Sequence, residues 1–168
     1  MKVLVVSFLV IIIWVQAQTV STDLYLQSAI EAAKHLKKLK SKSPTFHGFS
    51  LRKYVIKDLN FDGIFEVLEY VSEVEEEMTG YLTVSSSLPT YWINIYSMHN
   101  GKFQESTKDF RKFLKKQKLF YQFWYECFKS NHSEDKTVIN AIEKNLERVA
   151  QFLKYGFYLP GNAPTSFY

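Results

Sequence analysis

Residues 58–69 carry the side chains whose types and spacing best suit a single chemical task. The segment reads D-x-N-x-D-G-x-x-E-x-x-E, with acidic or amide side chains at alternate positions before the glycine. Ca²⁺ prefers about six to eight oxygen ligands held in a flexible cage. This pattern therefore predicts a calcium-binding loop. The candidate ligands are the side chains of Asp58, Asn60 and Asp62, the carbonyl of Ile64, and the carboxylate of either Glu66 or Glu69.

The residue that closes the loop depends on what flanks it. Glu69 is at the position where an EF-hand places its bidentate glutamate, but an EF-hand has a helix on each side. Residues 49–56 and 64–74 are rich in the β-branched and aromatic residues that strands favour. These flanks argue against an EF-hand, in which Glu69 would be the closing ligand.

A strand on each side of the loop resembles the calcium loops of FG-GAP and VCBS-type repeats. The resemblance covers about residues 54–71. In those families the loop joins neighbouring strands of a propeller blade, and the ion is largely structural. The pattern occurs once in this chain, which excludes a propeller. The ligands that the resemblance implies are the side chains of Asp58, Asn60, Asp62 and Glu66 and the carbonyl of Ile64.

A metal-free turn is the alternative for the same residues. Asp62-Gly63 is itself a favourable hairpin dipeptide, and polar residues in turns need no ion. The charge distribution bears on this choice, because every formal charge from residue 58 to 101 is negative and every one from 32 to 57 is positive. A divalent ion would neutralise part of the acidic segment, whereas most charge runs are simply solvated.

Residues 1–17 predict a signal peptide. Met1-Lys2 precedes a thirteen-residue run, 3–15, that is apolar except at Ser7, and Ala17 ends a sequence that a signal peptidase recognises. The run is shorter than the roughly 20 apolar residues that a membrane-spanning helix needs. An uncleaved membrane anchor is the alternative. We expect a secreted or periplasmic protein that has no membrane span after cleavage.

Residues 18–168 predict a single domain. A chain of about 150 residues buries roughly 68–70% of its unfolded surface and needs no disulfide. Cys127 is the sole cysteine, so an internal disulfide is impossible. Its aromatic surroundings, residues 123–128, predict a buried thiol, and an intermolecular disulfide is the alternative.

Periodicity predicts an α+β fold: an N-terminal helix, an antiparallel meander of four or five strands, and two C-terminal helices packed on one face. The first helix begins at Ser21-Thr22-Asp23, and Leu26, Ile30, Ala33 and Leu36 then recur at the spacing of one helical face. The predicted strands are 51–56, 64–74, 81–85, 91–96 and 103–105, with Asn100-Gly101 as a hairpin turn.

The C-terminal helices are predicted from their caps and apolar stripes. Ser106-Thr107 would cap the second helix, whose second half should be heavily buried because Leu119, Phe120 and Phe123 widen its apolar stripe. Ser133 would begin the third helix, and Lys154 with Gly156 would end it.

No enzyme signature is present in the sequence. It contains no G-x-S-x-G, no H-E-x-x-H and no glycine-rich phosphate loop. The four histidines lack ligand spacing and are expected at surfaces or in turns. We therefore expect a non-enzymatic binding or inhibitory module with one Ca²⁺ and an unknown protein partner. A hydrolase with an unrecognised site is the minor alternative.

Lysine-rich segments suggest a second alternative. Residues 34–42 and 108–118 could bind a polyanionic ligand such as lipopolysaccharide. A nucleic-acid partner is not expected, because the aromatic residues among the second set of lysines fall on the stripe that faces the core.

Overall fold

The computed structural model describes residues 22–46, 49–72, 90–131 and 136–159. Several predicted features lie outside these ranges. They are the signal peptide at residues 1–17, the strand at 81–85, the start of the third helix at Ser133, and two of the histidines, His47 and His132.

The order of elements confirms the predicted α+β layout. Helix α1 (residues 22–40) is followed by a small ladder of two antiparallel strands, β1 (Thr45–Phe46) and β2 (Phe49–Ser50). A four-stranded sheet follows, and then two helices. The remaining elements are β3 (Lys53–Lys57), β4 (Glu66–Ser72), β5 (Tyr91–His99), β6 (Lys102–Glu105), α2 (Arg111–Asn131) and α3 (Lys136–Tyr155).

The four-stranded sheet is an antiparallel meander in the order β3-β4-β5-β6. The predicted Asn100-Gly101 hairpin is confirmed: both residues have positive φ angles, 50° and 74°, and His99 pairs with Lys102. Two positive φ angles at the centre of a two-residue turn match the right-handed twist of the strands it joins.

The core lies between the sheet and the C-terminal helices. Leu68, Ile93 and Ile95 pack against Phe110 and Phe113. A second cluster joins strand β5 to both helices through Trp92, Leu114 and Val149. No helix in the described ranges is long and apolar enough to cross a membrane.

The apolar stripe of α1 does not form its buried face. Leu26, Ile30 and Ala33 are exposed, whereas Ser28 and Ala32 are buried. Polar contacts turn the helix, because the Phe65 N–H donates to the Ser28 hydroxyl at 2.7 Å.

His35 also holds α1 to the sheet. Its ring stacks on Phe103 with centroids 4.8 Å apart, so the expectation of a surface or turn histidine is wrong at this position. His99, by contrast, lies at the hairpin as expected.

The predicted burial of α2 is only partly confirmed. Leu114 and Tyr121 are buried, and the Tyr121 hydroxyl donates to the Tyr91 carbonyl at 2.7 Å. Leu119 and Phe123 are instead exposed, because α3 packs on the opposite side of the helix. Cys127 is half-buried rather than buried.

The start of α2 also differs from the prediction. A 3₁₀-helix, Thr107–Asp109, precedes it, and Ser106 makes no side-chain cap to that helix. These residues instead extend the pairing of β6 with β5. The Ser106 N–H donates to the Ile95 carbonyl at 2.8 Å, and the Ile95 N–H donates to Thr107 Oγ1 at 2.9 Å. The end of α3 is confirmed, since Gly156 has a φ of 79° and donates to the Phe152 carbonyl.

We predict that Thr107→Val destabilises the protein by about 1–3 kcal/mol, because the buried Ile95 N–H loses its acceptor. Thr107→Ser retains the hydroxyl and should cost less. Urea unfolding monitored by circular dichroism measures both variants. A smaller loss for Val than for Ser would show that methyl packing, not the hydrogen bond, is what Thr107 contributes.

Candidate metal site

The candidate loop joins two neighbouring strands of the sheet. Strands β3 and β4 are antiparallel, and Lys57 pairs with Glu66 at the end of their ladder. Residues 58–65 form the connection between them. The predicted flanking strands are confirmed, so the loop has no EF-hand helices beside it.

Asp58 organises the backbone of this loop. Its Oδ1 accepts a hydrogen bond from the Phe61 N–H at 2.7 Å, and its Oδ2 accepts one from the Gly63 N–H at 3.0 Å. Phe61 and Gly63 have φ angles of 62° and 83°. A left-handed conformation costs a non-glycine residue about 1–2 kcal/mol. The carboxylate of Asp58 therefore holds a curled backbone that Phe61 does not favour.

Asp62 and Asn60 lie together on the same curl. Asp62 Oδ1 accepts from the Ile64 N–H at 2.8 Å, and Asn60 Nδ2 donates to Asp62 Oδ2 at 2.7 Å. The structure thus brings together the polar side chains that the sequence placed at alternate positions.

Glu66, at the start of β4, lies beside these polar side chains. Its side chain is only 2% exposed, and its Oε2 accepts a hydrogen bond from the Leu59 N–H at 2.8 Å. Burial, with the nearby charges of Asp62 and Asp58, raises the pKa of Glu66 to about 7. The Lys34–Glu31 and Arg52–Glu69 ion pairs of the described residues do not involve these three carboxylates.

Glu69 is not brought together with the loop residues. It is 3% exposed, and it lies in register with Tyr54 of β3 and Asn94 of β5. Because side chains alternate along a strand, residues three positions apart point to opposite faces. Glu66 and Glu69 therefore face opposite sides of the sheet.

The carboxylate of Glu69 accepts four hydrogen bonds. The donors are Arg52 Nη1 at 3.0 Å, the Tyr54 hydroxyl at 3.2 Å, Asn94 Nδ2 at 3.1 Å and the Tyr96 hydroxyl at 2.9 Å. Burial raises the pKa of Glu69, but the hydrogen bonds from Asn94, Arg52 and Tyr96 outweigh it, and the net pKa is lowered. The side chain is held as an anion by the protein itself.

Sequence patterns did not identify these partners of Glu69. Tyr54 and Asn94 both pair with Glu69 across the sheet, so a polar row crosses three strands. Such a row is visible only when the strand register is known.

The contact between the loop and α1 was also unforeseen. The Tyr25 ring lies 4.7 Å from the Phe65 ring, in an edge-on arrangement. Tyr25 also approaches Gly63 within 4.0 Å of where a Cβ would stand. The first turns of α1 therefore cover one side of the loop.

The oxygen atoms of residues 58–66 match a hard cation in type. The ligands available are three carboxylates, one amide oxygen and backbone carbonyls. In the described conformation three of the four aspartate oxygens accept from backbone N–H groups and Asp62 Oδ2 accepts from Asn60 Nδ2. No group of three or more His, Cys, Asp or Glu side chains in the described ranges is arranged to hold a metal ion. Binding therefore requires the free lone pairs of these oxygens to converge on one point.

Comparison of this chain with protein-family models, with curated proteins and with solved structures gives no match.

We predict that Glu69→Ala lowers the free energy of unfolding by about 3 kcal/mol or more, because it breaks the Arg52–Glu69 ion pair and removes the acceptor shared by Tyr54, Asn94 and Tyr96. Glu31→Ala is the matched control, since it breaks the exposed Lys34–Glu31 pair, which should cost about 1 kcal/mol or less. Denaturant unfolding at neutral pH measures both. Similar losses would contradict a structural role for the Glu69 network.

We also predict that Glu66 gives the metal-free protein an unusual pH dependence. Because its pKa is raised from 4.5 to about 7, the unfolded chain releases this proton first as the pH rises. The stability that Glu66 contributes is therefore full below pH 4.5 and declines towards pH 7, by about 2–3 kcal/mol.

The measurement is the free energy of unfolding in chelator at about pH 5 and pH 7.5 for the wild type and Glu66→Gln. Burial, with a contribution from Lys38, lowers the pKa of His35, which acts in the opposite direction in this range. The difference between the two proteins cancels the His35 contribution. If that difference is the same at both pH values, Glu66 titrates normally.

Proposed function

We propose that this chain is an exported, non-enzymatic binding module whose residues 58–66 bind one Ca²⁺. One observation carries the proposal: Asp58, Asp62 and Glu66 are close neighbours, Glu66 is buried, and no ion pair in the described residues compensates them.

The physical argument is the cost of that charge. An ionised carboxylate removed from water costs several kcal/mol unless it is paired. Here the two aspartates add repulsion to the desolvation of Glu66. A divalent cation offsets both terms, and oxygen ligands of this kind favour calcium over softer metals.

The ligands would be the side chains of Asp58, Asn60, Asp62 and Glu66 and the carbonyl of Ile64. Glu69 would not bind the ion, because its carboxylate is engaged by donors on the opposite face of β4.

The ion would stabilise more than the loop itself. The loop connects β3 to β4, and the Phe65 N–H connects it to Ser28 of α1. Calcium would thus fasten the β3 edge of the sheet and the first turns of α1 together. These contacts support a structural role for the ion. The module itself would act by binding a protein partner, and extracellular calcium sites of about 10⁻⁴–10⁻³ M affinity suit a secreted or periplasmic location.

The test is thermal unfolding of the processed chain, residues 18–168, in about 10 mM CaCl₂ and in chelator. An ion bound at about 100 times its dissociation constant adds about 2.7 kcal/mol to the free energy of unfolding. We expect a rise in Tm that Asp62→Asn and Glu66→Gln abolish. Asp109→Asn, at an exposed aspartate of the 3₁₀-helix, is the matched control and should leave the rise unchanged.

Two results would contradict this proposal. The first is a Tm that does not respond to calcium, which would make residues 58–66 a metal-free polar turn. The second is a rise in Tm that Glu66→Gln retains, which would place the ion away from Glu66. Isothermal titration with CaCl₂ and MgCl₂ gives the affinity and selectivity independently of folding.

A further inference from the structure

The outward face of α2 has an apolar centre. Leu119 is 67% exposed and Phe123 is 61% exposed, and they lie one turn apart. A shallow groove beside them is lined by Gln122, Phe123, Glu126, Cys127, Ser130 and Asn131. Large apolar side chains adjacent on one helix face form the kind of patch that often marks an interaction site.

The polar residues around this centre lie on the same face. At 3.6 residues per turn, positions 112, 116, 119, 123, 126 and 130 fall within one stripe. All of them are exposed, whereas Leu114 and Tyr121 are buried on the opposite side of the helix. We call this set the α2 stripe; its members are Lys112, Lys116, Leu119, Phe123, Glu126 and Ser130.

The α2 stripe is self-complementary about the level of Tyr121. Leu119 and Phe123 lie two residues on either side of that level, and Lys116 and Glu126 lie five residues on either side. Two antiparallel copies related by a two-fold axis at this level would place each residue opposite its counterpart. Leu119 would lie opposite Phe123 of the second copy, and Lys116 would lie opposite Glu126.

We propose that two copies of this chain form an isologous dimer through antiparallel α2 helices. Leu119 of each copy packs against Phe123 of the other, and Lys116 of each copy pairs with Glu126 of the other. An isologous interface uses the same patch on both subunits, and each contact therefore occurs twice. The groove beside Phe123 receives the Leu119 side chain of the second copy.

Charge complementarity identifies the occupant as a second copy. Neither Lys116 nor Glu126 belongs to an ion pair within the described parts of the chain, although Glu126 lies near Lys129 on the same helix. An acidic polymer would attract Lys112 and Lys116 but would be repelled by Glu126, and it would leave Leu119 and Phe123 exposed. A second copy satisfies both the charged and the apolar residues.

The size of the contact predicts a weak dimer. Residues 112–130 span about 28 Å of helix. A single helix pair buries less than the roughly 1,600 Å² of a standard protein interface. Association should therefore depend on concentration. The proposal rests on α2 alone and is independent of the calcium loop.

The test is sedimentation equilibrium of the processed chain between about 5 and 500 μM, a range suited to a weak dimer. We expect dimer at the upper concentrations. Phe123→Asp should weaken association by about tenfold or more, because it places a charge at the apolar centre. Leu24→Asp, at an exposed leucine of α1, is the control and should have no effect.

Charge reversal tests the register. Lys116→Glu and Glu126→Lys should each weaken the dimer by about three- to tenfold, since each converts two attractive contacts into two repulsive ones. The double variant, which swaps the two charges, should restore wild-type association. Lys37→Glu makes the same charge change at an exposed site on α1 and should leave association unchanged. Thermal melts verify that all variants are folded.

Several outcomes would overturn the proposal: a monomer at all concentrations, a dimer that survives Phe123→Asp, or a double variant that fails to restore association. A disulfide dimer abolished by Cys127→Ser would also contradict it, because this register separates the two cysteines by about 18 Å along the helix axis, beyond the limit of about 7 Å between Cα atoms. Heparin binding that requires Lys112 but not Phe123 would assign the face to an acidic polymer.

Discussion

The hydrogen-bonded carboxylate of Glu69 is the interaction on which the sheet depends. It lies on β4 and accepts donors from β5 and from Arg52 and Tyr54, so one buried charge joins three consecutive parts of the sheet. A buried carboxylate of this kind restricts how the strands can pair, because a slip of one residue would leave both the carboxylate and its donors unpaired. His35 of α1 stacks on Phe103 and makes a tilted ring contact with Tyr96, which extends this network to the covering helix.

Glu66 shows how strongly position on the same strand changes the chemistry of one residue type. Both glutamates are almost fully buried, but the pKa of Glu66 is raised and that of Glu69 is lowered. The difference lies in their neighbours, since aspartates lie near Glu66 and hydrogen-bond donors surround Glu69. The protein neutralises one carboxylate with its own groups and leaves the other close to Asp58 and Asp62. This asymmetry is the reason that an ion is proposed at one end of β4 and not at its centre.

The two helices that depart from their predicted burial do so for the same reason. Aliphatic spacing in α1 and α2 indicated which face should pack inwards, but Ser28, His35 and Tyr121 determine the rotation of these helices through hydrogen bonds and ring contacts. Aliphatic residues are then left at the surface, including Leu26 and Ile30 on α1 and Leu119 and Phe123 on α2. Leaving an apolar side chain in water costs less than leaving a buried polar group without a partner, so the hydrogen bonds of Ser28 and Tyr121 prevail.

The sequence by itself determined the α+β class, the Asn100-Gly101 hairpin, the strand on each side of residues 58–65 and the end of α3 at Gly156. These features follow from local chemistry: turn conformations, strand propensity and the capping of a helix terminus. Sequence spacing also placed Asp58, Asn60 and Asp62 on one curl. Only the tertiary structure decided that Glu66 lies beside these side chains while Glu69 faces the opposite side of β4. It alone also decided that the Thr107 hydroxyl accepts a hydrogen bond from β5, and that Leu119 and Phe123 are exposed. Each of these depends on strand register or helix rotation, which arise from contacts between residues that are distant in the chain.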